Sequence, residues 1–138
     1  MSVITEDIIQ TDMQNLCNEI LNLEHTRFAG LISDKGNLYA GGFKEEIVPM
    51  VNDEKRQLMY MRFALESSFR RDFDDSFGAF QCSTIQREKT SIITINICNY
   101  ILLVFTEPKI DLHNKVKEIK GIIDEHKRNF LNKLFEKN

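Results

Sequence analysis

The sequence TSIITINICNYILLVFT, residues 90–106, contains the longest apolar run of the chain. Its first half alternates isoleucine with polar residues as far as Ile97, and Cys98-Asn99 then separates it from a nearly uninterrupted apolar run, residues 100–105. Alternation is typical of a half-buried strand, whereas a short apolar run is typical of a strand covered on both faces. We therefore predict a β-hairpin whose second strand is central in a sheet.

A second hairpin is predicted upstream of it. The segment RFAGLIS (27–33) is apolar on both faces, the next four residues, Asp34 to Asn37, include glycine and asparagine, and residues 38–43 return as the second strand. Glycine and asparagine tolerate the positive φ of a tight turn. Gly41-Gly42 is expected to end or bulge the returning strand.

The remaining strand is expected at residues 77–85, and its polarity suggests an edge position. The first and fifth strands, residues 28–32 and 101–105, are apolar on both faces, so we place them side by side in the middle of the sheet. That placement gives the strand order 2-1-5-4-3.

Three helices complete the chain. Apolar residues recur at intervals of three and four in residues 5–23, in a helix that begins at Asn52 or Asp53, and in residues 111–136. The predicted order is α-β-β-α-β-β-β-α, an α/β (α+β) domain with a mainly antiparallel five-stranded sheet and helices on both faces. The first and last helices are expected on one face and the middle helix on the other.

Length and composition support one domain, residues 1–138. The chain is 42% hydrophobic and its net charge of −3 gives no footprint for nucleic acid. No apolar run is long enough for a transmembrane segment, and the N-terminus has no signal peptide pattern, so a cytoplasmic location is expected. Cys17, Cys82 and Cys98 are widely spaced, which favours reduced thiols over a disulfide or metal role.

The middle helix has more apolar surface than one contact with a sheet requires. Leu58, Met61, Leu65 and Phe69 form one stripe, and further apolar residues lie beside it. This width predicts that the helix contacts a second molecule as well as its own sheet.

RFAGLISDKGNL (27–38), together with the order of the elements, resembles the roadblock/dynein light chain family, whose first hairpin joins two apolar strands through a turn with aspartate and glycine. The hairpin, the stretch 71–73 and the turn 87–89 are also similar to a family of small uncharacterised archaeal proteins. The resemblance implies a roadblock-like (profilin-like) fold with an extended C-terminal helix. That long final helix departs from the usual short ending of the family.

Members of the roadblock family are usually dimers without catalysis, and they often serve as scaffolds or regulators of small GTPases. They pair through the middle helix and the neighbouring edge strand. Carried over, the resemblance implies that the homodimer or partner interface consists of Leu58, Met59, Met61, Arg62, Phe63 and Leu65 on the helix, with Phe80, Cys82 and Thr84 on the edge strand. We expect Met59, Phe63 and the final helix to supply its buried apolar area.

No catalytic, cofactor-binding or metal-binding residue is predicted. The three histidines, His25, His113 and His126, lie on separate segments without metal-ligand spacing. His126 is at a seam position of the last helix, where pairing across a dimer would make association pH-sensitive. Asp72, Asp74 and Asp75 lack the alternation of a calcium loop.

A basic cluster is a possible anion-binding site, because guanidinium groups bind carboxylates and phosphates in bidentate fashion. The aspartates nearby can neutralise part of it. Its members are Arg27, Arg62, Arg70 and Arg71.

The preferred function is therefore a non-enzymatic, homodimeric protein-interaction or scaffold module, a regulator or platform for a small GTPase or another signalling protein. The alternative is a small-molecule sensor of the PAS or GAF type, with Tyr39, Tyr60 and Arg62 lining a pocket between sheet and helix. An enzyme is the third class, with no residues to name.

Overall fold

The structure is a computed structural model that describes residues 3–136. The predicted order of the elements is confirmed, with one short helix in addition. The elements are α1 (Val3–Leu21), β1 (Thr26–Ile32), β2 (Leu38–Phe43), α2 (Asp53–Arg71), α3 (Asp74–Phe77), β3 (Cys82–Gln86), β4 (Ser91–Ile97), β5 (Tyr100–Thr106) and α4 (Leu112–Glu136).

The five strands form one sheet in the order β2-β1-β5-β4-β3, as predicted, and all four neighbouring pairs are antiparallel. β5 lies between β1 and β4, with Gly30 opposite Leu103 on one side and Thr94 opposite Leu103 on the other. Residues 101–104 are all buried, which agrees with a strand covered on both faces.

Each face of the sheet has its own core. The side chains that alternate along β1 separate the two: Ala29 and Leu31 face α1 and α4, whereas Phe28 and Ile32 face α2. The predicted placement of the helices is therefore confirmed. The first core is the larger, with Leu16, Cys17, Ile20, Ile93, Ile95, Ile97, Leu102, Val104, Leu112, Ile119 and Ile123 among its buried residues.

Two polar contacts hold α4 against the α1 side of the molecule. The Nζ atom of buried Lys115 donates to the backbone oxygen of Glu24 at 2.5 Å. Nε2 of His126 lies 2.5 Å from Oε2 of Glu19 on α1. His126 thus has a partner within its own chain, and its pairing across a dimer stays a hypothesis. Among residues 3–136, no helix is long and apolar enough to span a membrane.

The predicted strand at residues 77–85 is wrong in its first part. Residues 74–77 form the short helix α3, and β3 begins only at Cys82. Gly78 ends α3 with a positive φ of 84°, and Oδ1 of Asp74 accepts a hydrogen bond from the backbone N–H of Phe80. This local bonding holds residues 74–80 in a compact turn, so their backbone does not pair with β4.

The glycines of β2 do not end the strand or bulge it, contrary to expectation. Gly41 has a φ of 91°, and a Cβ atom there would lie 2.1 Å from the backbone oxygen of Ala29. A Cβ atom added at Gly42 would have nothing within 4 Å of it. Only Gly41 is therefore required for the close approach of β2 to β1, and the irregularity in pairing lies between Leu31 and Ile32 of β1.

Candidate interaction surface

A narrow buried face attaches α2 to the sheet. Its buried residues are Tyr60, Ala64 and Ser67. The Tyr60 ring stacks on Phe28 with a centroid distance of 6.1 Å, and burial raises the pKa of the Tyr60 hydroxyl, an effect that the nearby Arg56 opposes. Arg56 also donates to the backbone oxygen of Val51 at 2.9 Å, which fixes the start of the helix.

The apolar stripe of α2 points away from the sheet. Leu58, Met61, Leu65 and Phe69 are 62%, 54%, 56% and 60% exposed. At about 100° per residue, Leu58, Leu65 and Phe69 lie close to one line along the helix, on the side opposite Tyr60 and the other buried residues. We call these four side chains the α2 ridge.

Met59 and Phe63 lie beside the ridge and are less exposed than its four side chains. Both are partly buried and pack against the core formed by Phe28, Ile32 and Leu103. Half-buried side chains of this kind still present surface, and Met59 also lines the groove described below, so their contact with a partner stays a prediction. The four side chains of the α2 ridge are the most exposed apolar residues of the helix.

The β1–β2 turn forms one wall beside the ridge. A Cβ atom at Gly36, whose φ is 82°, would lie 2.6 Å from Cα of Met61, so the turn touches the helix backbone. An open groove of about 760 Å³ results. Its lining residues are Asp34, Lys35, Val51, Lys55, Leu58, Met59, Met61, Arg62, Ala64, Leu65 and Ser68.

The two edges of the sheet differ. At the β2 edge, Oε1 of Gln14 on α1 accepts a hydrogen bond from the backbone N–H of Gly41 at 3.0 Å. In the described part of the chain, no segment hydrogen-bonds in this way to the outer backbone of β3. An uncovered edge presents unpaired N–H and C=O groups to another chain. β3 is therefore the edge open to pairing, and its Ile85 packs against the core on the α2 side of the sheet.

The predicted edge-strand residues are only partly in a strand. Cys82 and Thr84 belong to β3, with Cys82 half-buried and Thr84 exposed. Phe80 lies before the strand and packs under Arg70, whose guanidinium carbon is 4.7 Å from the ring centroid. Beside it, Phe73 and Phe77 stack with centroids 5.9 Å apart and are 58% and 83% exposed. Sequence periodicity missed this aromatic pair because residues 73–77 were interpreted as the end of a helix and the start of a strand.

The four arginines of the possible anion site do not converge. Arg27 forms an ion pair with Glu107 at 2.9 Å. Arg70 is 3.8 Å from Glu66 and lies over Phe80, whereas Arg62 is exposed beside the groove. Arg71 is exposed in the last turn of α2, so no contact found among residues 3–136 joins the four arginines.

The pocket required for a PAS- or GAF-type sensor is likewise not assembled. Tyr39 packs against Tyr100 on the α1 and α4 side of the sheet, with centroids 4.9 Å apart. Tyr60 lies in the core on the α2 side. Within residues 3–136, no group of three or more His, Cys, Asp or Glu residues is arranged to hold a metal ion.

The three free cysteines should react with a thiol reagent in a fixed order. Cys98 is exposed and Cys82 half-buried, whereas Cys17 is fully buried and burial raises the pKa of its thiol to about 12. Because the thiolate is the reactive form, we expect Ellman's reagent to modify Cys98 first, Cys82 more slowly and Cys17 only after unfolding in guanidinium chloride. Rapid reaction of all three thiols in native buffer would contradict the placement of Cys17.

The fold is that of roadblock/LC7 domains. The gliding protein MglB from Thermus thermophilus superposes with a TM-score of 0.67 at 17% identity, over 90% of this chain and 91% of that chain. MglB from Myxococcus xanthus gives 0.64 at 14% identity, over 93% and 90%. A Roadblock/LC7 domain from Streptomyces avermitilis gives 0.63 at 14% identity, over 87% and 98%. Identities this low establish the fold alone.

By sequence, the chain belongs to a family of unknown function, DUF6659, whose model matches residues 5–135. A search of curated proteins finds no significant sequence match. The resemblance to small archaeal proteins stays a prediction.

Proposed function

We propose that this chain is a non-enzymatic, homodimeric interaction module that serves as a platform or regulator for a small GTPase or another signalling protein in the cytoplasm. The observation that carries the proposal is the α2 ridge, four large apolar side chains that point away from the chain's own core, in a chain whose β3 edge is also open. A helix stripe of this kind is stable in water when a partner covers it.

The size of the surface fits a pair of identical chains. From Leu58 to Phe69 the ridge extends about 16 Å along the helix at 1.5 Å per residue. An interface of the standard size buries about 1,600 Å² in total, so the groove and the β3 edge would have to join the two ridges in the contact. A two-fold axis would use the same patch of both chains, so one surface serves as both halves of the contact.

The open edge of β3 adds a second component to the same interface. Pairing of two β3 strands would join two five-stranded sheets and satisfy the outer backbone groups of both. β2 is less suited to this because Gln14 already accepts the N–H of Gly41. One of the MglB structures of similar fold has a tetrameric arrangement, which is compatible with assembly on this fold.

The GTPase part of the proposal rests on the resemblance to the roadblock family, whose members often act with small GTPases. The absence of catalysis and the cytoplasmic location rest on the sequence, and the three free cysteines support a reducing compartment.

The oligomeric state provides the first test. Sedimentation velocity of the purified chain at micromolar concentration is expected to give the mass of a dimer, with dissociation on dilution. A monomer at all concentrations up to about 100 μM would overturn the proposal, because the free energy of association would then be weaker than about −5.5 kcal/mol.

The partner class provides the second test. Immobilised protein is incubated with native lysate of the source cells in the presence of GDP or of a non-hydrolysable GTP analogue, and the retained proteins are identified by mass spectrometry. A GTPase regulator is expected to retain a small GTPase in one nucleotide state and not in the other. Retention that does not depend on the nucleotide would favour a scaffold for another class of signalling protein.

A further inference from the structure

Two open depressions lie at opposite ends of β3. The first has a volume of about 830 Å³ and is lined by Met50 and by residues 86–90, at the C-terminal end of the strand. The second has a volume of about 450 Å³ and lies at the N-terminal end, where Phe73 and Phe77 form its aromatic wall. A dimer held together by the α2 ridge and the β3 backbone alone would leave both depressions uncovered.

A two-fold axis through the middle of α2 brings the two ends of the surface together. Antiparallel pairing of two copies with Met61 near the axis places Leu58 of one copy opposite Leu65 of the other, so the ridge is self-complementary. In the same register the acidic first turn of one helix lies level with the basic last turn of the other. Extended beyond the helix, that register brings Met50 of one copy towards Phe73 of the other.

Pairing of the two β3 strands also brings Met50 of one copy towards Phe73 of the other. Two β3 strands related by a two-fold axis are antiparallel, so the Gln86 end of one copy lies beside the Cys82 end of the other. Met50 lies near Gln86 in its own chain, and the aromatic wall lies just before Cys82 in its own chain. The helix and the strand therefore predict the same juxtaposition.

The chemistry of the two depressions is complementary. Phe73 and Phe77 expose a stacked apolar wall, and Met50 is 53% exposed. Methionine packs well against aromatic rings because its thioether is flexible and polarizable. The turn between β3 and β4 contributes two cations and one anion, whereas residues 72–75 contribute three aspartates. Arg70 and Arg71 offset two of these aspartates, so residues 70–75 keep a net charge of −1 and face a net charge of +1 on the turn.

We propose that the Phe73–Phe77 wall of one copy receives Met50 of a second copy, with Arg87 and Lys89 of that copy facing the aspartates of residues 72–75. This inference rests on the proposed homodimer and adds the contact that fixes its register. The two depressions become one closed interface region on each side of the two-fold axis.

Charge reversal tests the contact. One variant carries Arg87→Glu and Lys89→Glu, and the other carries Asp72→Lys and Asp75→Lys. All four side chains are exposed, and Asp74 is left unchanged because it accepts the N–H of Phe80. Each variant alone places like charges across both contacts of its own dimer, so its dissociation constant is expected to rise about tenfold or more.

A mixture of the two variants is expected to restore assembly. In a mixed dimer one contact has both sets of charges reversed and the other has neither, so both contacts are attractive. Native mass spectrometry of the mixture should therefore show the mixed dimer in large excess over the two-to-one statistical ratio to each homodimer. A single chain with all four substitutions should dimerise about as tightly as the unchanged protein.

Matched controls separate this contact from net charge. Lys117→Glu with Lys127→Glu, and Asp124→Lys with Glu125→Lys, make the same charge changes at exposed positions of α4, on the other side of the sheet. They are expected to change the dissociation constant less than threefold at 0.15 M salt, where the Debye length is about 8 Å. Circular dichroism confirms that each variant is folded.

Two outcomes overturn different claims. If the unchanged protein dimerises but the charge variants dimerise equally well and mix statistically, the proposed contact is wrong and the dimer remains. If the unchanged protein is a monomer, the homodimer itself fails and the contact fails with it.

Discussion

Replacing Leu65 with glutamate is expected to convert the dimer into a folded monomer. Leu65 lies in the middle of the α2 ridge, 56% exposed in the single chain and opposite the residues that attach α2 to the sheet. In the dimer its side chain would be covered by the same ridge of the second copy. A carboxylate there would have to be desolvated without a partner, which is costly in an apolar interface.

The expected effect is large enough to measure directly. A loss of about 2.8 kcal/mol or more in the free energy of association corresponds to a dissociation constant at least about 100-fold higher. Sedimentation equilibrium over a range of concentrations measures it. The free energy of unfolding of the monomer should change by less than about 0.5 kcal/mol, because the position is a solvated helix surface.

Leu38→Glu is the matched control for Leu65→Glu. Leu38 is 40% exposed on β2, at the opposite edge of the sheet from β3. The same change of side chain there should leave the dimer intact. If Leu38→Glu dissociates the dimer and Leu65→Glu does not, the interface lies at the β2 edge of the sheet and the proposed interface is wrong.

Replacing Gly41 with alanine is expected to destabilise the fold more than any other single methyl addition to a described glycine. The backbone has a φ of 91°, where a side chain is strained, and the new Cβ would overlap the backbone oxygen of Ala29 at 2.1 Å. Backbone cannot move aside as a flexible side chain can, so β2 would have to shift away from β1. A loss of about 3 kcal/mol or more in the free energy of unfolding is expected.

Gly42→Ala measures the cost of the methyl group itself. Gly42 is the next residue of the same strand, and nothing lies within 4 Å of a Cβ atom there. The free energy of unfolding of this variant should differ from that of the unchanged protein by less than about 1 kcal/mol, because alanine restricts the unfolded chain and causes no clash in the folded one. Urea denaturation of both variants gives the comparison, and equal stability of the two would contradict the close approach at Gly41.

The sequence was sufficient for the sheet. Residues 28–32 and 101–105 are apolar on both faces, and a strand of that kind must be covered on both sides, so the order 2-1-5-4-3 followed. The start of α2 was also predictable, since Asn52 accepts a hydrogen bond from the backbone N–H of Lys55 as an N-cap.

The segment between α2 and β3 was not predictable in the same way. Phe77, Phe80 and the residues between them contain no polar alternation that separates a strand from a turn with aromatic residues. The hydrogen bond from the N–H of Phe80 to Asp74 and the stacking of Phe73 on Phe77 decide the conformation. Arg70 at the end of α2 adds a contact over the Phe80 ring, with its guanidinium carbon 4.7 Å from the centroid.

The apolar stripe of α2 shows what the sequence determines and what only the tertiary structure decides. Its period of three and four residues determined that a helix forms and that one face must be covered, because burial of apolar surface follows from the side chains alone. It did not determine which face meets the chain's own sheet. The structure decides that through Tyr60, which fits against Phe28, and through Gly36, which lets the β1–β2 turn touch the helix at Met61. The sheet thus takes the narrow face of α2, and the wider apolar face stays exposed.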